Sequence, residues 1–408
     1  MAVKIMAVLV ATGIAVSLVP GPAAADPVLN GEFPVSAVSS NNQIAAGPDG
    51  NMWVTLDGVA ADVARITPAG VVTEFDAANM TTPIGITAGP DGRLWVTQTG
   101  GVARFLPSNP VAAEKFAIAA IADARGITLG PDGNLWTASV DKVLKISPGD
   151  PAAPTVFAGT GITGARAIAA GTDGNLWVAD FGSEAVYRIT TAGIATKFPA
   201  GGGTQGVAAG ANGQVAFTQQ GTPPYTIGRI TTVVETTPVP GTDPFGITFG
   251  ADGAYWAAQF ATNSLARVTA TGALTTLALP AGSGPRQIAP GPGDTLWVTL
   301  DTAEKVARVS GVSPAPAPTP TPTPTPTPGV ATSLTKKPKK KVSKAKVRFR
   351  FTGTAGASFQ CRLDKRPWRN CGSPKTYRVK TGKHVFRVRA VVNGIPDSSP
   401  AKWRFRRV

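Results

Sequence analysis

One pattern returns seven times along this chain and limits its fold more than any other feature. It reads Ile44-Ala-Ala-Gly-Pro-Asp-Gly-Asn-Met-Trp53, then Ile86-Thr-Ala-Gly-Pro-Asp-Gly-Arg-Leu-Trp95, then Ile127-Thr-Leu-Gly-Pro-Asp-Gly-Asn-Leu-Trp136. It recurs at Ile168–Trp177, Val207–Ala216, Ile247–Trp256 and Ile288–Trp297, so its last position steps by 42, 41, 41, 39, 40 and 41 residues. A second motif follows in each unit, as in Ala64-Arg65-Ile66-Thr67, Arg104-Phe105, Lys145-Ile146-Ser147, Arg188-Ile189-Thr190 and Arg308-Val309-Ser310. A third closes most units, as in Thr73-Glu74-Phe75 and Thr196-Lys197-Phe198.

Each unit therefore holds four short apolar or alternating runs. The Gly-Pro-Asp-Gly step joins the first two as a tight hairpin, with Pro setting the first turn position and Gly supplying the positive φ. Four strands in about 40 residues is the period of a β-propeller blade, and seven units predict seven blades. The last unit stops at Ser310 after three strands, while Val28-Leu-Asn-Gly-Glu-Phe33 resembles the fourth strand Val71–Phe75. The N-terminal strand is thus expected to complete the last blade and close the ring, which removes an open edge. The Trp residues are expected to fill the space between blades, and Ala216 shows that one such position tolerates vacancy. The Asp-Gly-Asn turns lack the alternating oxygen ligands and terminal Glu of a calcium loop.

Composition divides the chain in two. Residues 1–330 carry 16 Lys/Arg against 22 Asp/Glu, net −6, whereas residues 331–408 carry 23 against 2, net +21. With two Cys and one His in 408 residues, a Cys/His zinc site, a Cys–His dyad and a pair of catalytic histidines are excluded. Residues 1–25 have one Lys, an apolar run from Ile5 to Val19 and a small-residue end at Ala23–Ala25. They read as a secretory signal peptide, so a secreted, monomeric, envelope-associated protein is expected. The propeller is assigned to residues 26–312 and a Pro/Thr-rich linker to 313–330. A basic module follows at 331–408. The Thr-Pro alternation of the linker enforces an extended polyproline stalk.

The composite Ile-x-x-Gly-Pro-Asp-Gly-Asn-Leu-Trp-Val-Thr, then Val-x-Arg-Ile-Thr, then Thr-x-Phe, resembles the virginiamycin B lyase (streptogramin lyase) family over roughly residues 27–310. The resemblance implies a seven-bladed propeller. It also implies a metal-assisted β-elimination that opens the ring of streptogramin B antibiotics. Members of that family place a catalytic His before the Gly-Ile of a first strand in two blades, and an acidic metal ligand after the Trp-Phe-Thr of second strands. Here the first position holds Asn42, Ile84, Arg125, Arg166, Gln205, Phe245 and Arg286, and the second holds Leu56, Gln98, Ser139, Asp180, Gln219, Gln259 and Leu300. Arg is protonated at any working pH and cannot serve as the general base that β-elimination needs. No catalytic residue and no cofactor are therefore expected. Mg²⁺ enters only in the competing reading of a diverged lyase, with Asp180 as its weak candidate ligand.

First strands begin and second strands end on one face of a propeller. Arg125, Arg166 and Arg286, with Gln98, Gln205, Gln219 and Gln259, are thus the candidate lining of a funnel for a small anionic or polar ligand. The alternative is a structural polar plug in which Arg166 pairs with Asp180 across one hairpin. In the tail, runs such as Val347–Phe351 and His384–Ala390 alternate apolar and basic residues, as half-buried strands do. Its pattern Gly-Ala-Ser-Phe-Gln-Cys-Arg-Leu-Asp…Trp…Cys…Gly-Lys-His-Val-Phe-Arg-Val-Arg-Ala resembles bacterial immunoglobulin-like modules, which implies a small β-sandwich. In an exported chain Cys361 and Cys371 are expected to form a disulfide. Lys336, Lys337, Lys339, Lys340 and Lys341 are expected to draw the module to anionic cell-wall polymer or lipid headgroups, and nucleic acid is not an expected partner. His384 is read as a strand residue.

Overall fold

A computed structural model of the chain describes residues 26–36, 42–57, 61–77, 80–121, 123–210, 213–221, 225–230, 234–238, 243–313, 331–392 and 394–408. The expected signal peptide and almost all of the expected linker lie outside them. The chain divides into two compact units, Met1–Pro316 and Ala317–Val408.

The first unit contains seven four-stranded antiparallel sheets among the described residues. Blade 1 runs Ile44–Ala46, Met52–Thr55, Val63–Ile66 and Val72–Phe75, from the axis outwards, and the later blades repeat that order. In blade 7 the strands Pro285–Gly291, Thr295–Leu300 and Lys305–Ser310 are completed by Val28–Pro34, paired antiparallel from Val28↔Ser310 to Pro34↔Lys305 with a register shift between Leu29 and Glu32. The inner strands of neighbouring blades lie against one another around the ring, blade 7 against blade 1 included. The ring closes through the N-terminal strand, as the motif order implied.

The three motifs prove to be one packing device. Each Trp is almost fully buried and packs against the next blade: Trp53 lies among Ile86, Val96 and Phe105 of blade 2, and Trp297 lies in the core of blade 1. The Phe of the outer strand stacks on the Trp of its own blade, with centroids 5.7 Å apart for Trp53–Phe75 and 5.5 Å for Trp136–Phe157. Phe33 does the same for Trp297 at 5.4 Å, so the N-terminal strand supplies the side chain as well as the ladder. The turn Asp accepts a hydrogen bond from the indole N–H four residues on, at 3.1 Å for Trp53–Asp49 and 2.9 Å for Trp136–Asp132. In blades 2, 3 and 6 the third-strand Arg or Lys lies over the ring and pairs with that Asp, as Arg267 does with Trp256 and with Asp252 at 2.6 Å. A buried indole N–H would otherwise lose its water partner, so one Asp satisfies the turn, the indole and the cation together.

Blade 5 departs from this plan, and a neighbour compensates. Where Ala216 replaces the Trp, Tyr255 of blade 6 is fully buried in the core between the two blades with Ala208, Ala216 and Ile227. In the Trp-bearing blades the first turn Gly has no room for a Cβ because the Trp ring lies against it; at Gly210 it is the Tyr255 hydroxyl that takes that room.

The second unit forms two sheets, Thr332–Lys336 with Lys346–Gly353 and Lys375–Arg378, and a larger one built on Ser358–Leu363, Gly382–Val392 and Ala401–Arg407. Phe349 and Phe351 of the first meet Phe386 and Phe405 of the second in a shared core, with Phe349 and Phe386 stacked at 4.0 Å. Cys361 and Cys371 are disulfide-bonded. His384 is a strand residue held by Asp364 at 2.8 Å and by the Lys380 carbonyl at 2.8 Å. Its pKa is raised: burial works against the charged form, but these two acceptors outweigh it.

Candidate functional site

The Ile or Val that opens each repeat lines the axis. Ile44, Ile86, Ile127, Ile168, Val207, Ile247 and Ile288 surround an axial cavity of about 260 Å³. Beyond it, a second cavity of about 220 Å³ is lined by Gln43, Arg125, Arg166, Gln205, Phe245, Arg286 and Gln287. Gln43 and Gln287 line both cavities and so form a polar floor between the funnel and the axial cavity.

A β-bulge aims the funnel side chains. The register of first and second strands shifts between Ala124 and Gly126, Ala165 and Ala167, Thr204 and Val207, Pro244 and Ile247, and Pro285 and Ile288. In each case the first residue skipped is the one facing the funnel, namely Arg125, Arg166, Gln205, Phe245 or Arg286. A bulge leaves that residue out of the ladder and turns its side chain off the sheet face. The Thr of Trp-Val-Thr then fixes the bulged backbone. Thr218 accepts the Gly206 N–H of its own blade's bulge at 2.9 Å and donates to the Phe245 carbonyl of the next blade's, and Thr299 accepts the Gln287 N–H at 2.9 Å. Gly follows the funnel residue in four blades because the next inner strand crowds it; a Cβ on Gly206 would stand 2.6 Å from the Phe245 carbonyl oxygen.

The three arginines converge, but they are not equivalent. Arg125 pairs with Asp123 at 3.1 Å. Arg286 pairs with Asp301 at 3.0 Å and lies between Phe245 and Phe260, its guanidinium 4.1 and 4.0 Å from the two ring centroids. Arg166 lies over Phe181 at 5.3 Å and has no ion pair among the described residues. Burial and the nearby Arg125 charge pull its pKa below the ordinary guanidinium value, and Asp123 offsets part of this. It remains a cation with no carboxylate at ion-pair distance among the described residues.

The Arg166–Asp180 pair of the alternative reading is absent among the described residues. Asp180 stands opposite Ala165, and the bulge carries Arg166 away from it. Its carboxylate instead accepts the Gly164 and Thr163 N–H groups at 2.6 and 3.0 Å and the Ser183 hydroxyl at 2.6 Å.

Gln205 lines the funnel with the arginines, whereas Gln98, Gln219 and Gln259 do not. Their amide oxygens accept from the Thr81 N–H at 2.8 Å, the Thr226 hydroxyl at 2.6 Å and the Ser264 hydroxyl at 2.9 Å. This second-strand position therefore fastens neighbouring backbone, the adjoining loop for Asp180 and Gln98 and the facing end of the third strand for Gln219 and Gln259. Sequence reasoning missed Gln43 and Gln287. Their signal was the replacement of Gly by Gln in Asn-Gln-Ile and Arg-Gln-Ile, and Gln43 uses the added length to reach the Arg125 carbonyl at 2.7 Å.

The residues present do not suit a bound Mg²⁺. Asp180 is saturated by backbone and hydroxyl donors, and Asp123 and Asp301 are held by arginines. Among the described residues no three His, Cys, Asp or Glu groups cluster as ligands.

Comparison with known proteins agrees with this architecture. Residues 159–336 match the model of the virginiamycin B lyase family. The structure of a streptogramin B lyase superposes with a TM-score of 0.61 at 21% identity, over 70% of this chain and 97% of that one. A catalytically inactive His-to-Ala variant of virginiamycin B lyase from Staphylococcus aureus, solved with quinupristin, gives the same TM-score and identity over 70% and 99% of the two chains. The extracellular domain of an assigned hybrid two component system from B. thetaiotaomicron matches with a TM-score of 0.53 at 14% identity, over 91% of this chain and 56% of that one. No curated protein matches at the sequence level. At these identities the solved structures show the fold, and the chain resembles the lyase family in its propeller.

Proposed function

We propose that the propeller is a binding module whose funnel takes a small anionic, hydroxyl-rich molecule and does not transform it. The observation that carries this reading is Arg166, a cation without a carboxylate partner among the described residues, beside Arg125 and Arg286 in one cavity. A guanidinium offers a planar fork of donors to a carboxylate or phosphate. Arg286, clamped between two phenyl rings, gives up little freedom on binding. Gln43, Gln205 and Gln287 add donors and acceptors for hydroxyl groups. None of the funnel side chains is a base of suitable pKa, so proton abstraction has no agent there.

The reading extends to location. The leader of residues 1–25 and the likeness to an extracellular sensor domain support an exported protein. The tail, read as immunoglobulin-like on its strand pattern, holds the propeller at an anionic envelope through its net charge of +21. Calorimetric titration of the full chain with glucuronate, citrate and phosphate tests the funnel. Saturable one-to-one binding that persists with chelator is expected. Opening of a streptogramin B ring that depends on Mg²⁺ and stops with chelator contradicts the reading.

A further inference from the structure

The Lys336–Lys341 run has the look of a loose polybasic tether, yet it is fixed at both ends. Lys336 pairs with Arg350 at the end of one sheet, and Lys341 pairs with Arg406 at the edge of the other. The Arg406 N–H donates to the Lys340 carbonyl at 2.8 Å and the Trp403 indole N–H to the Pro338 carbonyl at 3.1 Å. The Lys337 ammonium rests 4.0 Å from the Trp403 ring. The run is therefore one wall of a groove of about 450 Å³, and Lys346, Arg348 and Arg350 stand on the opposite wall.

Every charged residue lining this groove is a cation; Lys339 and Lys344 join those already named, and Pro338, Val342 and Val347 supply the apolar part. The tail has two side-chain carboxylates to offset its charge, and both are engaged elsewhere. Asp364 accepts from Val385 and holds His384, and Asp397 accepts from Thr332 and Ser399. None of the groove cations has an ion pair among the described residues. Like charges placed opposite each other across strands, as Lys336 and Arg350 are, destabilise a sheet. An arrangement of this kind is relieved when an anion enters it.

We propose that the groove is a binding site for a linear polyanion, a chain bearing repeated phosphate or sulfate groups. The proposal rests on the envelope-tether reading and gives it a site and a ligand class. A groove suits a chain laid along it, whereas a bilayer presents a plane. A membrane-docking surface also needs apolar groups to insert, and Val408 is the one strongly exposed large apolar residue among the tail's described residues. Fixed walls select for the spacing of charges along the ligand, which net charge alone does not.

The test uses the full chain and two variants of equal charge change, Arg348→Glu in the groove and Lys402→Glu on a strand that does not line it. Short-chain inorganic polyphosphate and dextran sulfate are titrated at low and near-physiological salt, with phosphatidylglycerol vesicles as the planar comparison. Expected is one-to-one binding of at least one linear polyanion that falls about 10-fold or more in Arg348→Glu and about 3-fold or less in Lys402→Glu, weakening with salt. Equal losses in both variants overturn the groove while leaving a charge-driven tether. Tighter binding to vesicles overturns it in favour of a membrane surface. No binding by the unaltered chain to any of the three overturns groove and tether together. Melting curves of both variants establish that each is folded.

Discussion

The substitution of Trp by Ala at position 216 and the presence of Tyr at 255 form one compensated pair, and a double-mutant cycle measures this. Ala216→Trp places an indole where the Tyr255 ring already lies, in a core where both positions are fully buried. Overpacking of that kind costs about 1–3 kcal/mol. Tyr255→Leu restores the residue found at the same place in Leu94, Leu135 and Leu176 but leaves the slot beside Gly210 empty. The cavity and lost aromatic contact with Phe249 cost roughly 1–3 kcal/mol. Combined, the two changes recreate the packing of the other blades, so the double variant should lie within about 1 kcal/mol of the parent, a coupling of at least about 1 kcal/mol. In thermal melts followed by circular dichroism, each single variant should lose about 3–10 °C and the double variant should recover most of it. Additive losses, with the double variant the least stable of the three, would refute the compensation.

Three further outcomes follow from the packing and the charges. Deleting residues 26–36 removes the ladder to Lys305–Ser310 and the Phe33–Trp297 stack, so the melting temperature should fall by roughly 10 °C with concentration-dependent aggregation, and an unchanged monomer would disprove closure. Burial opposes ionisation of Asp132, but hydrogen bonds from Trp136 and Asn134 and the Lys145 ammonium outweigh it and hold its carboxyl below the ordinary 3.8; the stability it confers should be complete above about pH 5 and be lost as pH falls through the lowered folded value, with Asp132→Asn flattening that acid limb in a pH-dependent melt. The raised pKa of His384 has the opposite sign, so its contribution to the tail is full below 6.5 and is lost as pH rises through the folded value, which a melt of the tail signal between pH 5 and 9 would register.

The repeat spacing contained the blade count, the hairpin turns and the closing strand, because strand alternation and turn chemistry are local and leave their period in the sequence. The convergence of Arg125, Arg166, Arg286 and Gln205 was legible for the same reason, since equivalent positions in a closed ring face one axis. Finer aim was not legible. Bulges at the inner strands move Arg166 out of register with Asp180, and no residue type marks such a bulge in the sequence. The glutamines at the ends of second strands carry the same chemistry as those in the funnel, and the donors that capture them, such as the Ser264 hydroxyl and the Thr81 N–H, belong to no motif. Tyr255 likewise declares its role only when Ala216 of the preceding blade is brought beside it.

The central claim is that the funnel holds an anion through Arg166. Its most direct measurement is the affinity of the full chain and of Arg166→Met for glucuronate, by calorimetry at fixed salt. Removing a charged hydrogen-bonding partner costs about 1.5–3 kcal/mol, so the variant should bind roughly 10- to 100-fold more weakly at an unchanged melting temperature. Equal affinity in the two proteins, or no binding of glucuronate, citrate or phosphate by the parent, would contradict the account.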